Sequence, residues 1–168
     1  AEKHALVGRI AHQVFAQAGF VTACSADLRD RALRLGARAD RSEVVPYGVD
    51  TVRFAPLAAR ADRDAARSAL SVAPDEELVF AVGRLVRKKG FEYLIDAVAR
   101  LAPSRPRLVA VVAGAGDLDA ELRARAASRG VGDRVRFPGL LPHDRTAAAM
   151  AAADIVAVPS VRDDAGNV

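Results

Sequence analysis

The stretch Leu78–Leu101, LVFAVGRLVRKKGFEYLIDAVARL, admits few folds. It opens on an unbroken apolar run, Leu78 to Val82, and turns at Gly83 into a basic segment holding Arg84, Arg87, Lys88 and Lys89. Gly90 closes that segment. Phe91, Leu94, Ile95, Val98 and Leu101 then recur at the i, i+3, i+4, i+7 spacing of one helical face. A run apolar on both sides suits a strand buried in a parallel sheet. The basic loop therefore joins the carboxyl end of a buried strand to the amino end of a helix. In open α/β sheets ligands bind at that edge, and a helix N-terminus favours an anion.

The same grammar repeats downstream. Strand Leu108–Ala113 leads through Gly114-Ala115-Gly116-Asp117 to a helix over 118–129. Strand Val135–Phe137 leads through Gly139–His143 to a helix over 145–152, and Ile155–Val158 is a last strand before Pro159. Strict alternation of β and α segments implies right-handed crossovers, hence an α/β, Rossmann-like parallel sheet with helices on both faces.

Upstream the pattern is less regular. Leu6, Val7, Ile10, Val14 and Phe15 form one face of a helix that also carries Lys3, His4, Arg9 and His12. That face suits packing on a neighbouring domain, and as a basic amphipathic helix it also suits a membrane surface. Gly19–Cys24 reads as a strand with Cys24 as a small buried residue. Ser25 stands as N-cap of a helix that points Leu28, Ala32 and Leu35 inward, and Gly36 as its C′ residue. Glu43–Pro46 is a short strand, followed by a turn in which Gly48 is expected at positive φ. Pro56 ends an irregular segment, the best candidate for a domain boundary, and 57–71 is an Ala/Arg/Asp-rich helix.

Composition narrows the function. The chain has 168 residues, 51% of them hydrophobic, and a formal charge of +4. That charge is spread along the chain without stacking aromatics, which excludes a nucleic-acid partner. One cysteine forms no internal disulfide and has no ligands at metal spacing around it. There is no run of 18 apolar residues and no signal peptide, so a cytoplasmic location is expected.

Three glycine-bearing loops share the carboxyl edge of the sheet: Gly83 to Gly90, Gly114 to Asp117 and Gly139 to His143. Arg84 and Lys89, five residues apart, can approach one anionic group from two directions, the first as a planar fork and the second as a mobile point charge. With the helix dipole they suit a pyrophosphate better than a single carboxylate. A merely solvated charge run is the competing reading, and it describes Arg87 and Lys88. The run AGAGD lacks the third glycine of a dinucleotide fingerprint, since Asp119 stands there, and reads as a tight turn. His143 lies in a loop at the cleft edge without a spaced partner, and no nucleophile–base–acid set is evident.

Six ordered motifs carry a resemblance: VVPYGVD (Val44–Asp50) with Phe54 and Pro56, then Val82–Ala97, Gly114–Leu122, DRVRFPGLLPHD (Asp133–Asp144), AAADIVAVPS (Ala151–Ser160) and RDDAGNV (Arg162–Val168). Together they resemble the nucleotide-sugar-dependent, retaining glycosyltransferases of family 4, which have two facing Rossmann-like domains in the GT-B arrangement. The resemblance implies that Arg84 and Lys89 hold the donor diphosphate in place of a metal, and that Gly83 lets the backbone approach it. It also implies that Leu141 meets the nucleobase through its main chain, with His143 nearby. Residues 1–45 would be the last elements of the acceptor domain, 46–56 the crossover, and 57–168 a truncated donor-binding domain. Implied partners are a UDP- or GDP-linked sugar and a carbohydrate, lipid-linked or small-molecule acceptor. No cofactor or metal is implied. A place at the inner face of the membrane, with peripheral contact, is compatible with the family.

Relatives continue past GNV into a segment with two glutamates that contact sugar and ribose. The chain stops where that segment would begin, so as a fragment it is expected to bind nucleotide weakly and not to turn over. Leu118 and Tyr47 depart from the residues common at their positions. Rival readings are a GT-B epimerase or phosphorylase, and a nucleotide-binding module without chemistry.

Overall fold

A computed structural model describes residues 2–161, with side chains from Leu6 onward. The RDDAGNV motif, with Asp163 and Asp164, lies outside the described residues. The chain divides into two compact units, Ala1–Val49 and Asp50–Val168.

The first unit runs α1 (Glu2–Gln17), β1 (Val21–Ala23), α2 (Ala26–Arg34) and β2 (Ser42–Val44). The two strands pair in parallel, Val21 opposite Ser42. Ser25, in extended backbone, caps α2 by accepting the Leu28 N–H at 3.3 Å. Gly36 occupies the C′ position, with its N–H on Leu33 and that of Ala37 on Ala32. The expected inward face of α2 is corrected: Ala32 is buried, but Leu28 and Leu35 are exposed. A two-stranded sheet three residues long covers only a narrow stripe of a helix. Cys24 also differs from expectation, since β1 ends at Ala23 and the thiol is half-buried beside Tyr47. Gly48 does not take a positive φ. Leu6, Val7, Ile10 and Val14 of α1 are exposed.

The second unit holds α3 (Arg60–Ser68), β3 (Glu77–Val82), α4 (Phe91–Leu101), β4 (Leu108–Ala113), α5 (Asp119–Ser128), β5 (Val135–Gly139), α6 (His143–Ala152) and β6 (Ile155–Val156). Its sheet has the order β5-β4-β3-β6, all parallel. Side chains alternate across the central strands, so each strand feeds two cores. Val79, Ala81, Ala110 and Val112 pack with Ile95 and Val98 of α4 and Leu122 and Ala126 of α5. Leu78, Phe80, Val109 and Val111 pack on the opposite face with Leu70, Val72 and Ala149. Helices therefore cover both faces, which explains why β3 from Leu78 onward and all of β4 are apolar. Fully buried side chains such as Phe80 and Ile95 each contribute about 1.5–3 kcal/mol of transfer free energy.

The opposite, amino edge of this sheet is pinned by charge. Arg67 at the end of α3 is 1% exposed, a burial that an Ala/Arg/Asp-rich helix did not suggest. Its guanidinium donates to the carbonyls of Ala152 and Glu76 and to Asp154, whose carboxylate also accepts the Leu78 N–H at 2.7 Å. Burial works to raise the Asp154 pKa, yet the Leu78 amide, Arg67 and Arg63 together hold it below the usual carboxylate range. This network fixes β3 from below and leaves its carboxyl end to the loops.

Candidate functional site

The carboxyl edge of the sheet is a zipper of backbone. Gly83 donates its N–H to Ala113 at 3.0 Å, Leu85 to Ala115 at 2.9 Å, and Leu118 returns its N–H to Leu85 at 3.1 Å. Gly114 in turn donates to Gly139 at 2.8 Å. The loops after β3, β4 and β5 are thus tied side by side, with Gly114 between Gly83 and Gly139. The segment after β6 joins them: Val161 donates to the Lys88 carbonyl at 3.1 Å, and the Pro159 carbonyl lies where a side chain on Gly90 would project.

On this frame the basic loop folds as a 3-10 turn, Arg87–Lys89, before α4 starts at Phe91. The turn carries Lys89 back over the strand end. Its Cδ and Cε lie 3.7 Å from where a Cβ on Gly83 would sit, next to the Phe91 ring at 3.5 Å. Phe91 is 2% exposed, so the Gly83 backbone is flanked on this side by a fixed ring and by the apolar stem of Lys89. Arg84, the residue after Gly83, is exposed. Among the described residues neither the Arg84 nor the Lys89 side chain has a hydrogen-bond or ion-pair partner. Arg87 differs, pairing with Glu121 at 3.2 Å, and Lys88 is exposed. Lys89 is therefore brought to Gly83, the residue before Arg84, and among the described residues neither cationic side chain is paired.

Leu141 and His143 stand at the carboxyl end of β5, on the far side of the β4 loop. Leu141 is half-buried and its carbonyl accepts the Thr146 hydroxyl at 3.4 Å. His143 does not sit in a loop, as expected, but opens α6, two residues earlier than its periodicity indicated. Pro142, with φ −57°, presets the entry, the Thr146 N–H bonds its carbonyl at 2.9 Å, and Asp144 places an acid in the first turn. Asp144 also pairs with Arg53 at 2.9 Å, a contact with no local sequence signal.

Two braces keep the helices behind the site in place. Hydrogen bonds from Arg125 at 2.6 and 3.0 Å, with Arg129 at 3.0 Å, join α5 to Asp96 of α4 and hold the Asp96 carboxyl below its usual range. Arg123 bonds Asp119 and the Phe137 carbonyl and lies 4.9 Å from the Phe137 ring centre, tying α5 to β5. Among the described residues no group of three His, Cys, Asp or Glu side chains is placed to hold a metal ion. No described helix is long and apolar enough to cross a membrane.

Residues 62–168 match the family described as Glycosyl transferases group 1. The chain belongs to this family. Among relatives of this glycosyl transferase chain, the D-inositol 3-phosphate glycosyltransferase of Nocardia farcinica is 36% identical over 164 residues, covering 93% of this chain and 36% of that protein. The 2-deoxystreptamine glucosyltransferase of Streptomyces kanamyceticus is 34% identical over 152 residues, covering 89% of this chain and 38% of that protein. The chain thus spans under two-fifths of the length of these relatives. A crystal structure of Anabaena Alr3699/HepE in complex with UDP and glucose superposes with a TM-score of 0.79 at 27% identity, covering 95% of this chain and 44% of that one. The parallel sheet with helices on both faces is the architecture of GT-B glycosyltransferases.

Proposed function

We propose that this chain is the donor-binding part of a retaining, family 4 glycosyltransferase that moves a sugar from a nucleoside diphosphate to an acceptor. The observation that carries the reading is that Arg84 and Lys89, both in the β3 loop, have no side-chain partner among the described residues, with Lys89 laid across Gly83. Two cationic side chains with no partner among the described residues, beside a strand end and the start of α4, are complementary to a diphosphate. As the glycosidic bond breaks, the departing diphosphate gains negative charge, and cations already in place stabilise that state more than the ground state. Gly83, having no side chain, lets the backbone approach the phosphates in this reading. In this reading the Leu141 main chain faces the nucleobase, with His143 at the first turn of α6 beside it.

Relatives support the donor class. Alr3699/HepE was crystallised with UDP and with UDP-glucose, which supports a UDP-linked sugar as the donor to be tried first. The related enzymes are named for D-inositol 3-phosphate and 2-deoxystreptamine, so a polyol or sugar hydroxyl is the proposed acceptor class. Residues 1–45 then belong to the acceptor side and 46–56 to the crossover.

An amide NMR titration of the chain with UDP and with GDP tests this reading. The expected outcome is movement of the amides of Gly83–Gly90 and Leu140–His143 while those of α2 stay still. Shifts confined to residues remote from the β3 and β5 loops would overturn it. In the complete enzyme, proton NMR of the product should show the donor's anomeric configuration kept.

A further inference from the structure

Two glycines remain unexplained by the donor reading. Gly114 and Gly116 alternate in the β4 loop, and neither touches Arg84 or Lys89 through a side chain. Each instead lies against the backbone flanking Arg84. A Cβ on Gly114 would collide with the carbonyl of Gly83, the residue before Arg84. A Cβ on Gly116 would sit 2.5 Å from the Leu85 carbonyl oxygen and 2.8 Å from the Leu85 nitrogen, on the residue after it. The hydrogen bonds repeat the pattern, since Gly83 and Leu85 both donate into the β4 loop and Leu85 accepts from Leu118. Leu85 is fully buried. Arg84 thus carries a side chain without a partner among the described residues, on a backbone clamped at both neighbours.

We propose that Gly114 and Gly116 are positioning residues for Arg84, so that the β4 loop sets where the guanidinium meets the diphosphate. The proposal rests on the donor-diphosphate reading. Among the described residues no side-chain partner defines the reach of Arg84, so its backbone does, and binding costs less when that backbone is already fixed. Alanine at either glycine pushes the Gly83–Leu85 backbone away from β4 and displaces Arg84. A displacement approaching an ångström in a charged, directional contact is felt strongly. Gly116 is the cleaner probe, because its backbone lies outside the positive-φ region and only the close approach forbids a side chain.

Calorimetry with UDP and GDP on the full chain compares Gly116→Ala, Arg84→Ala and the double variant, with Gly132→Ala, whose Cβ meets nothing closer than 3.6 Å, as control. Gly116→Ala should weaken binding about tenfold, raise hydrogen exchange at the Leu85 amide, and add little once Arg84 is gone. Should Gly116→Ala not fold, Ala115→Gly loosens the same loop without a clash and should give a smaller loss, about two- to fourfold, that also vanishes in the Arg84→Ala background. An affinity within twofold of wild type, or a loss that multiplies in full with that of Arg84→Ala, overturns the positioning role while leaving the donor reading intact. If Arg84→Ala itself has no effect, the donor reading falls first and the positioning role with it.

Discussion

The carbonyl oxygen of Gly83 occupies the space into which a side chain at Gly114 would project. Gly114 also has φ +142°, a backbone conformation that side chains resist. Gly114→Ala therefore combines backbone strain with a clash inside the sheet edge and should lower stability by about 2–4 kcal/mol. Gly130, at φ +72° with open space around it, offers the comparison: Gly130→Ala should cost only about 1 kcal/mol. Urea unfolding of the two variants checks the difference, and equal losses would contradict the close packing of the β3 and β4 loops.

Three helices end in the same motif with different residues. Gly36 and Gly130 close α2 and α5, whereas α3 is closed by Ser71 at φ +59°. The Ser71 and Val72 amides bond the Ser68 and Arg67 carbonyls at 2.9 Å, the paired bonds of a Schellman ending. Because serine resists this conformation, Ser71→Gly should stabilise the chain by about 0.5–1 kcal/mol, measured as a higher urea midpoint. A loss of stability would show that the Ser71 side chain makes a contact of its own.

Acid should weaken the second unit through two carboxylates. Hydrogen bonds from Arg136 at 2.8 and 3.0 Å, outweighing partial burial, hold Glu76 below its ordinary range, and Asp154 is likewise depressed. A folded pKa below the unfolded one means stability that is fully present above the unfolded pKa, about 4, and is lost as pH falls through the folded pKa. Urea midpoints should be level from pH 7 to about 5 and fall steeply below 4. Glu76→Gln should flatten part of that fall. An unchanged acid limb in this variant would remove Glu76 from the account.

Much of this fold was legible in the sequence where one pattern decided the outcome. The run Leu108–Ala113 and the spacing of Phe91, Ile95 and Val98 correspond to β4 and α4 residue for residue, because burial on both faces or on one stripe leaves a direct imprint. Leu28 and Leu35 misled, since the sheet that should cover them has only two short strands. Arg67 was opaque for another reason: its partner Asp154 is 87 residues away, so no local spacing announces its burial. At the site, Arg84 and Lys89 were legible as residue types at a strand end. The packing of Gly114 and Gly116 against Gly83 and Leu85 was not, because contact between backbones across neighbouring loops leaves only an absence of side chains. The alternation of glycines in AGAG was the signal, and a dinucleotide fingerprint was the pattern it was compared with.

The central claim is that Arg84 and Lys89 together grip a nucleoside diphosphate. Calorimetric titration of UDP and GDP into the chain and into Arg84→Ala, Lys89→Ala and the double variant measures it directly. Each charge-assisted contact contributes about 1.5–3 kcal/mol, so each single variant should lose at least about tenfold in affinity, the double variant more, and added salt should weaken the wild type. Diphosphate affinity that is unchanged in the double variant would contradict the account.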